Sequence, residues 1–177
     1  MERQYTRIDE VRKVLDPIIK NIKDDERKRC AFVHLYGVGQ FAALLAIKRG
    51  YSREVAELAE IAGMLHDITK YVENDEDDDH AHTGADYAKD NILGILDCFT
   101  KEEIDMIYNG IYNHSDKYIK GFWFDEIIKD ADSAQHALRN PNEDYFYNKK
   151  RFQDILKEII WGEINEVCIY NRWWGSW

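Results

Sequence analysis

The polar and apolar positions of the chain repeat with a period near 3.6 residues from one end to the other, and no stretch alternates as a strand would. Ile8, Val11, Val14, Leu15, Ile18, Ile19 and Ile22 predict a first amphipathic helix over residues 5–22, with Pro17 kinking or interrupting it. A second helix is expected from Asp25 to Arg49, with His34, Gly37, Val38, Phe41 and Leu45 on its inner stripe. Gly50 is a natural stop and Ser52 a natural N-cap, so a hairpin leads into a third helix. Its stripe is Val55, Leu58, Ala59, Ala62, Leu65 and His66, which puts His66 on the buried face with Asp67 about 100° further round.

Beyond Lys70, six of the seven residues from Glu73 to Asp79 are acidic, the signature of a solvated loop. A short helix follows over His80–Ile92, with His80 facing inward and His82 outward. Thr100 and Glu103 form a capping box for a helix whose stripe is Ile104, Ile107, Ile111 and His114. From Phe122 the stripe Phe124, Ile127, Ile128, Ala131, Ala134 and Leu138 defines another helix, with Asp132 flanking its apolar face and Asp130 and His136 less clearly inward. After Pro141 a last helix is expected to run to about Cys168 and to dock through Phe152, Ile155, Leu156, Ile159, Ile160, Ile164 and Val167. The expectation is an all-α single domain covering all 177 residues.

Composition removes several function classes. A net charge of −10 and a pI near 5.1 argue against nucleic acid as a partner, because backbone affinity needs a basic surface. Residues 1–10 contain no apolar leader, and the longest unbroken apolar run, Phe41–Ile47, is short of a membrane span, so a soluble cytoplasmic protein is expected. Cys30, Cys98 and Cys168 are odd in number and far apart, which suits core thiols rather than disulfides or a zinc ribbon. Gly37 and Gly39 imitate a dinucleotide loop, but they sit inside a helical period and serve close helix approach. The Trp-rich tail NRWWGSW suits a docked terminus or a homodimer contact.

The chemistry lies in the histidines. One buried His-Asp pair could be compensated by an arginine, a hydrogen-bond network or a metal ion. Four histidines on four apolar stripes, His34, His66, His80 and His114, with Asp67 and Asp132 at stripe edges, favour shared cations. Imidazole with carboxylate suits iron or manganese first, and magnesium, nickel or zinc after them; the lack of cysteine ligands disfavours structural zinc.

The order His34, then His66-Asp67 in LHDITK, then Asp132 in KDADSAQ, resembles the HD-domain superfamily of metal-dependent phosphohydrolases over residues 28–140. That resemblance implies an all-α helical bundle, here with a long C-terminal helix, in which His34, His66, Asp67 and Asp132 hold one ion. HAHTGAD and IYNHS resemble two further family segments, those of the dinuclear branch that splits diadenosine tetraphosphate symmetrically, and they assign His80 and His114 to a second ion. Ser115-Asp116-Lys117 stand where that branch has a Thr-rich turn ending in glycine. The implied activity is hydrolysis of a nucleotide or other small phosphate ester or anhydride by a metal-activated water, with Asp67 bridging two divalent ions. Lys70 either neutralises phosphoryl oxygens or is an exposed helix-terminal lysine. Two alternatives stand beside this reading: a di-iron oxygenase, and a non-catalytic nucleotide-binding module.

Overall fold

The computed structural model describes residues 6–72, 79–139 and 146–161. Within them it forms eight α-helices and one 3₁₀ turn, Leu93–Ile95, and no strand. The helices are α1 Arg7–Lys20, α2 Asp25–Lys48, α3 Arg53–Leu65, α4 Ile68–Val72, α5 His80–Asn91, α6 Lys101–Tyr112, α7 Trp123–Arg139 and α8 Phe146–Trp161. The all-α architecture therefore follows the 3.6-residue pattern.

Local signals set most boundaries. Thr6 caps α1 in a reciprocal box with Asp9, and Thr100 caps α6 in the same way with Glu103. α1 runs through Pro17 as one helix, so no interruption occurs there. Gly50 takes a φ of 79°, a left-handed conformation that ends the turn after α2 at little cost for glycine, and Ser52 then accepts from the Val55 amide to start α3.

The centre of the molecule is the crossing of α2 with α3, to which α7 adds a third wall. Val38, Ala42, Leu45, Ile61, Ala62, Leu65, Ile127, Ile128 and Ala131 are fully buried there. The crossing is closest at Gly39 and Gly63: a β-carbon on Gly63 would lie 2.7 Å from the Gly39 backbone. This contact sets the distance between the helices that carry His34 and His66.

Three expectations change. α2 is long and apolar enough, by length and composition, to cross a membrane, although its unbroken apolar runs are short; its buried face packs against α3 and α7. Cys30 and Cys98 are half-buried rather than core thiols, and Cys168 lies outside the described residues. α8 docks on α7 through Ile155 and the partly buried Phe152, whereas Leu156, Ile159 and Ile160 are exposed. The continuation of that helix to Cys168 and the Trp-rich tail also lie outside the described residues, as does the acidic loop up to Asp78.

Candidate metal centre

Two breaks in the helices build the site. α3 stops at Leu65, so His66 is its C-cap and Asp67 occupies the turn before α4, rather than both continuing one helix. His114 likewise lies one residue past the C-cap of α6 instead of on the helix. A turn aims its side chains across the end of a bundle, where a continuous helix would point His66 and Asp67 about 100° apart around its axis. His34 comes from the middle of α2, His80 from the first residue of α5, and Asp132 from α7. Gly84 permits α5 to lie against the α3–α4 turn, because a β-carbon there would meet the His66 carbonyl at 3.1 Å.

Asp67 stands at the middle. Its Oδ2 is 3.4 Å from Nε2 of both His34 and His66 and 3.1 Å from Nζ of Lys70, while its Oδ1 is 3.2 Å from His114 Nε2 and 3.6 Å from His80 Nε2. Asp132 Oδ1 lies 3.5 Å from His34 Nε2, 3.6 Å from His66 Nε2 and 3.4 Å from His136 Nε2. His34, His66, Asp67, His114 and Asp132 are all at most 5% exposed.

Hydrogen bonding fixes which ring nitrogens face this cluster. Nδ1 of His66 donates to the Gly63 carbonyl at 2.8 Å, and Nδ1 of His114 to the Ile111 carbonyl at 2.7 Å. Gln135 donates through Nε2 to the Val33 carbonyl, so its Oε1 is the acceptor for His34 Nδ1 at 2.6 Å. In the neutral rings each Nε2 then presents a lone pair to a carboxylate oxygen, an acceptor facing an acceptor. Nε2 of His34 and His66, Oδ1 of Asp67 and Oδ1 of Asp132 are buried without a hydrogen-bond partner, which costs roughly 1–3 kcal/mol for each such group.

A cation resolves this. Ligands about 2.1 Å from one ion lie roughly 3.0–3.4 Å apart in octahedral or tetrahedral geometry, close to the spacings here. Two buried groups can hold an ion, His34 with His66 and Asp132, and His66 with Asp67 and His114. Five of the six residues expected as ligands belong to these groups, while His80, 15% exposed, approaches Asp67 from beside them; the outward nitrogens of His34, His66 and His114 are held by carbonyl groups as metal-bound histidines commonly are.

In the metal-free protein a proton on His66 relieves part of this clash. Burial disfavours a charged His66, but Asp67 and Asp132 outweigh it and raise its pKa to about 9 in the metal-free protein. Burial lowers that of His114 to about 4. Burial alone would raise both carboxyls; the His66 charge holds Asp67, and the Lys117 and His66 charges hold Asp132, well below the usual range. The His66 proton contributes stability that is complete below its unfolded value near 6.5 and disappears as the pH rises through 9. An ion must displace that proton. Manganese titrated calorimetrically into metal-free protein is therefore expected to bind up to about tenfold more tightly per pH unit from 6.5 to 9, releasing about one proton; an affinity independent of pH would exclude a charged His66.

Several participants were not legible as such. His136, read as less clearly inward, brings its ring within 4.8 Å of His34 and its Nε2 to Asp132. The i, i+4 spacing of Asp132 and His136 was the available signal. Gln135 and Lys117 carried none, since a glutamine on a helix and a lysine in a loop are usually solvated. Asp130 turns away to Arg49 and Arg151. His82 is 43% exposed and stacks on Tyr112, facing outward as expected.

A family model for the HD domain matches residues 31–157, which include His34, His66-Asp67, His80, His114, Asp132 and most of α8. The chain belongs to the HD-domain family. Its buried His/Asp groups, suited to holding a metal ion, lie within the matched region. Ribonuclease Y of Lactobacillus gasseri and Ribonuclease Y of Lactobacillus johnsonii are each 25% identical to it over 137 residues. Those matches cover 77% of this chain and 23% of each relative, so the HD-domain protein spans less than a quarter of their length. No solved structure matches it significantly.

Proposed function

We propose that the protein hydrolyses a nucleotide or another small phosphate ester or anhydride at a dinuclear centre bridged by Asp67. The observation that carries this is the division of Asp67 between two sets of imidazoles: Oδ2 toward His34 and His66, Oδ1 toward His80 and His114. In this reading His34, His66 and Asp132 complete one position, and His80 and His114 the other. Divalent cations held there would lower the pKa of a coordinated water and offset charge on phosphoryl oxygens. The protein's part is to fix these buried donors, with Lys70, His80 and His136 the more exposed side chains around them.

Lys70 stands at the edge of the cluster, one-third exposed, with Nζ on Asp67 and its carbonyl held by the Arg27 guanidinium. An ammonium so placed neutralises a phosphoryl oxygen as the substrate enters. Lys70→Ala is expected to lower kcat/KM by about tenfold or more; an unchanged value would return Lys70 to an ordinary helix-terminal role.

The acidic balance of the chain supports small substrates over polynucleotides, and the same proposal carries a soluble cytoplasmic enzyme that forms homodimers. A second reading, an RNA phosphodiester substrate, is favoured by the name of the relatives. Metal content of the purified protein, followed by phosphate release from nucleotides and cleavage of a single-stranded RNA oligomer with manganese present, separates them. Nucleotide turnover with about two ions per chain supports the proposal. RNA cleavage alone selects the second reading. Oxygen uptake without phosphate release makes it an oxygenase, and metal without either activity makes it a binding module.

A further inference from the structure

Asp132 has two carboxylate oxygens, and only Oδ1 faces His34 and His66. The other, Oδ2, accepts from Nζ of Lys117 at 2.6 Å. Lys117 lies in the loop between α6 and α7, three residues after His114, and its side chain is only 6% exposed. Burying an ammonium costs several kcal/mol unless it is paired, so this lysine is not there by default. It is held from outside. Arg151 of α8 donates to the Lys117 carbonyl through Nε at 3.1 Å and Nη2 at 2.8 Å, and its Nη1 binds Glu126 at 3.0 Å and Asp130 at 2.7 Å. Glu126 and Asp130 belong to α7, the helix that carries Asp132, so the chain of contacts closes on itself. Arg49 at the end of α2 fastens the far side by pairing with Asp130 at 2.6 Å and Glu158 of α8 at 2.9 Å.

We propose that Lys117 is a positioning residue for the metal centre and that Arg151 keeps it in place, so that α8 supports metal binding without supplying a ligand. With Oδ2 tied to Lys117, the Asp132 carboxylate cannot rotate, and Oδ1 stays where a cation shared with His34 and His66 needs it. Without the tie, the carboxylate swings between its two oxygens and the donor set is no longer pre-formed.

The charge of Lys117 makes the test decisive, because its two effects have opposite signs. A cation beside the site repels a metal ion, so its removal by Coulomb repulsion alone would tighten binding. Loss of positioning weakens it. Manganese affinity of the full chain is measured calorimetrically for wild type, Lys117→Met, Arg151→Met and the double variant, each first stripped with a chelator. Lys117→Met is expected to weaken one of the two bound ions by about tenfold or more, the usual effect of losing a partner behind a ligand. Arg151→Met, whose guanidinium touches no ligand, should weaken the same ion by a smaller factor, and the double variant should be no worse than Lys117→Met alone. Unchanged or tighter binding in Lys117→Met, or additive losses in the double variant, overturns the proposal. Should Lys117→Met not fold, Arg151→Met decides alone: an unaltered affinity overturns it. The inference rests on the metal-centre reading, and the two fail differently. A wild type that takes up no manganese ends that reading, whereas a wild type that binds it beside unaffected variants ends only the role of Lys117 and Arg151.

Discussion

Asp67→Asn should remove both ions from the purified protein and lower kcat/KM by more than about a hundredfold, beyond the loss that follows removal of an outer partner. The carboxylate offers Oδ2 to His34 and His66, which Asp132 Oδ1 also faces, and Oδ1 to His80 and His114. An amide keeps the shape but loses the charge that offsets two cations. Manganese should raise the Tm of wild type by mass action and leave that of the variant unmoved. His114→Ala supplies the contrast, because one imidazole serves one ion: it should lose a single equivalent. Metal analysis of the two variants measures the difference. Retention of both ions in Asp67→Asn would place the metal elsewhere, and loss of a single ion would make Asp67 a terminal ligand rather than a bridge.

Gly63→Ala carries the largest expected effect on stability. Its new methyl would sit 2.7 Å from Cα and N of Gly39 and 2.9 Å from the Val38 carbonyl carbon, all of them backbone, so no side chain can yield. Alanine is the better helix former by about 1 kcal/mol, yet α2 and α3 must part, and such overpacking costs typically 1–3 kcal/mol or more. A net loss of about 2 kcal/mol would lower Tm by roughly 4–8 °C in a chain of this size. His34 and His66 ride on the two helices forced apart, so metal affinity should fall with Tm. A variant as stable as wild type with intact metal binding would show that the crossing has slack and does not set the ligand spacing.

How far the sequence led can be followed through the same residues. The 3.6-residue period alone determined the class and most helices, because each helix must bury a stripe whatever its neighbours are. Ser52, Gly50 and the Thr100–Glu103 box placed ends to within a residue or two, since capping is local chemistry. The burial of His34, His66, Asp67, His114 and Asp132 was legible because a titratable group on an apolar stripe has no inexpensive explanation there.

The tertiary structure decided what periodicity cannot carry. His66-Asp67 and His114 read as helical, but they lie in turns, and turning them across the bundle end is what brings their ligand atoms within an ion's reach of one another. Which oxygen of Asp67 faces which histidine depends on how α2, α5, α6 and α7 meet, and no local rule encodes that. Leu156, Ile159 and Ile160 look like a docking face along the chain, yet α8 meets α7 through Ile155 and Phe152 while Arg151 and Glu158 tie it down by charge. Lys117 entered the site only when the loop after α6 was packed against α7 and α8, and Gln135 and His136 only when α7 met α2. A polar side chain gains meaning from the partner it finds in space, and those partners lie 15 residues away for Lys117 and 101 for Gln135.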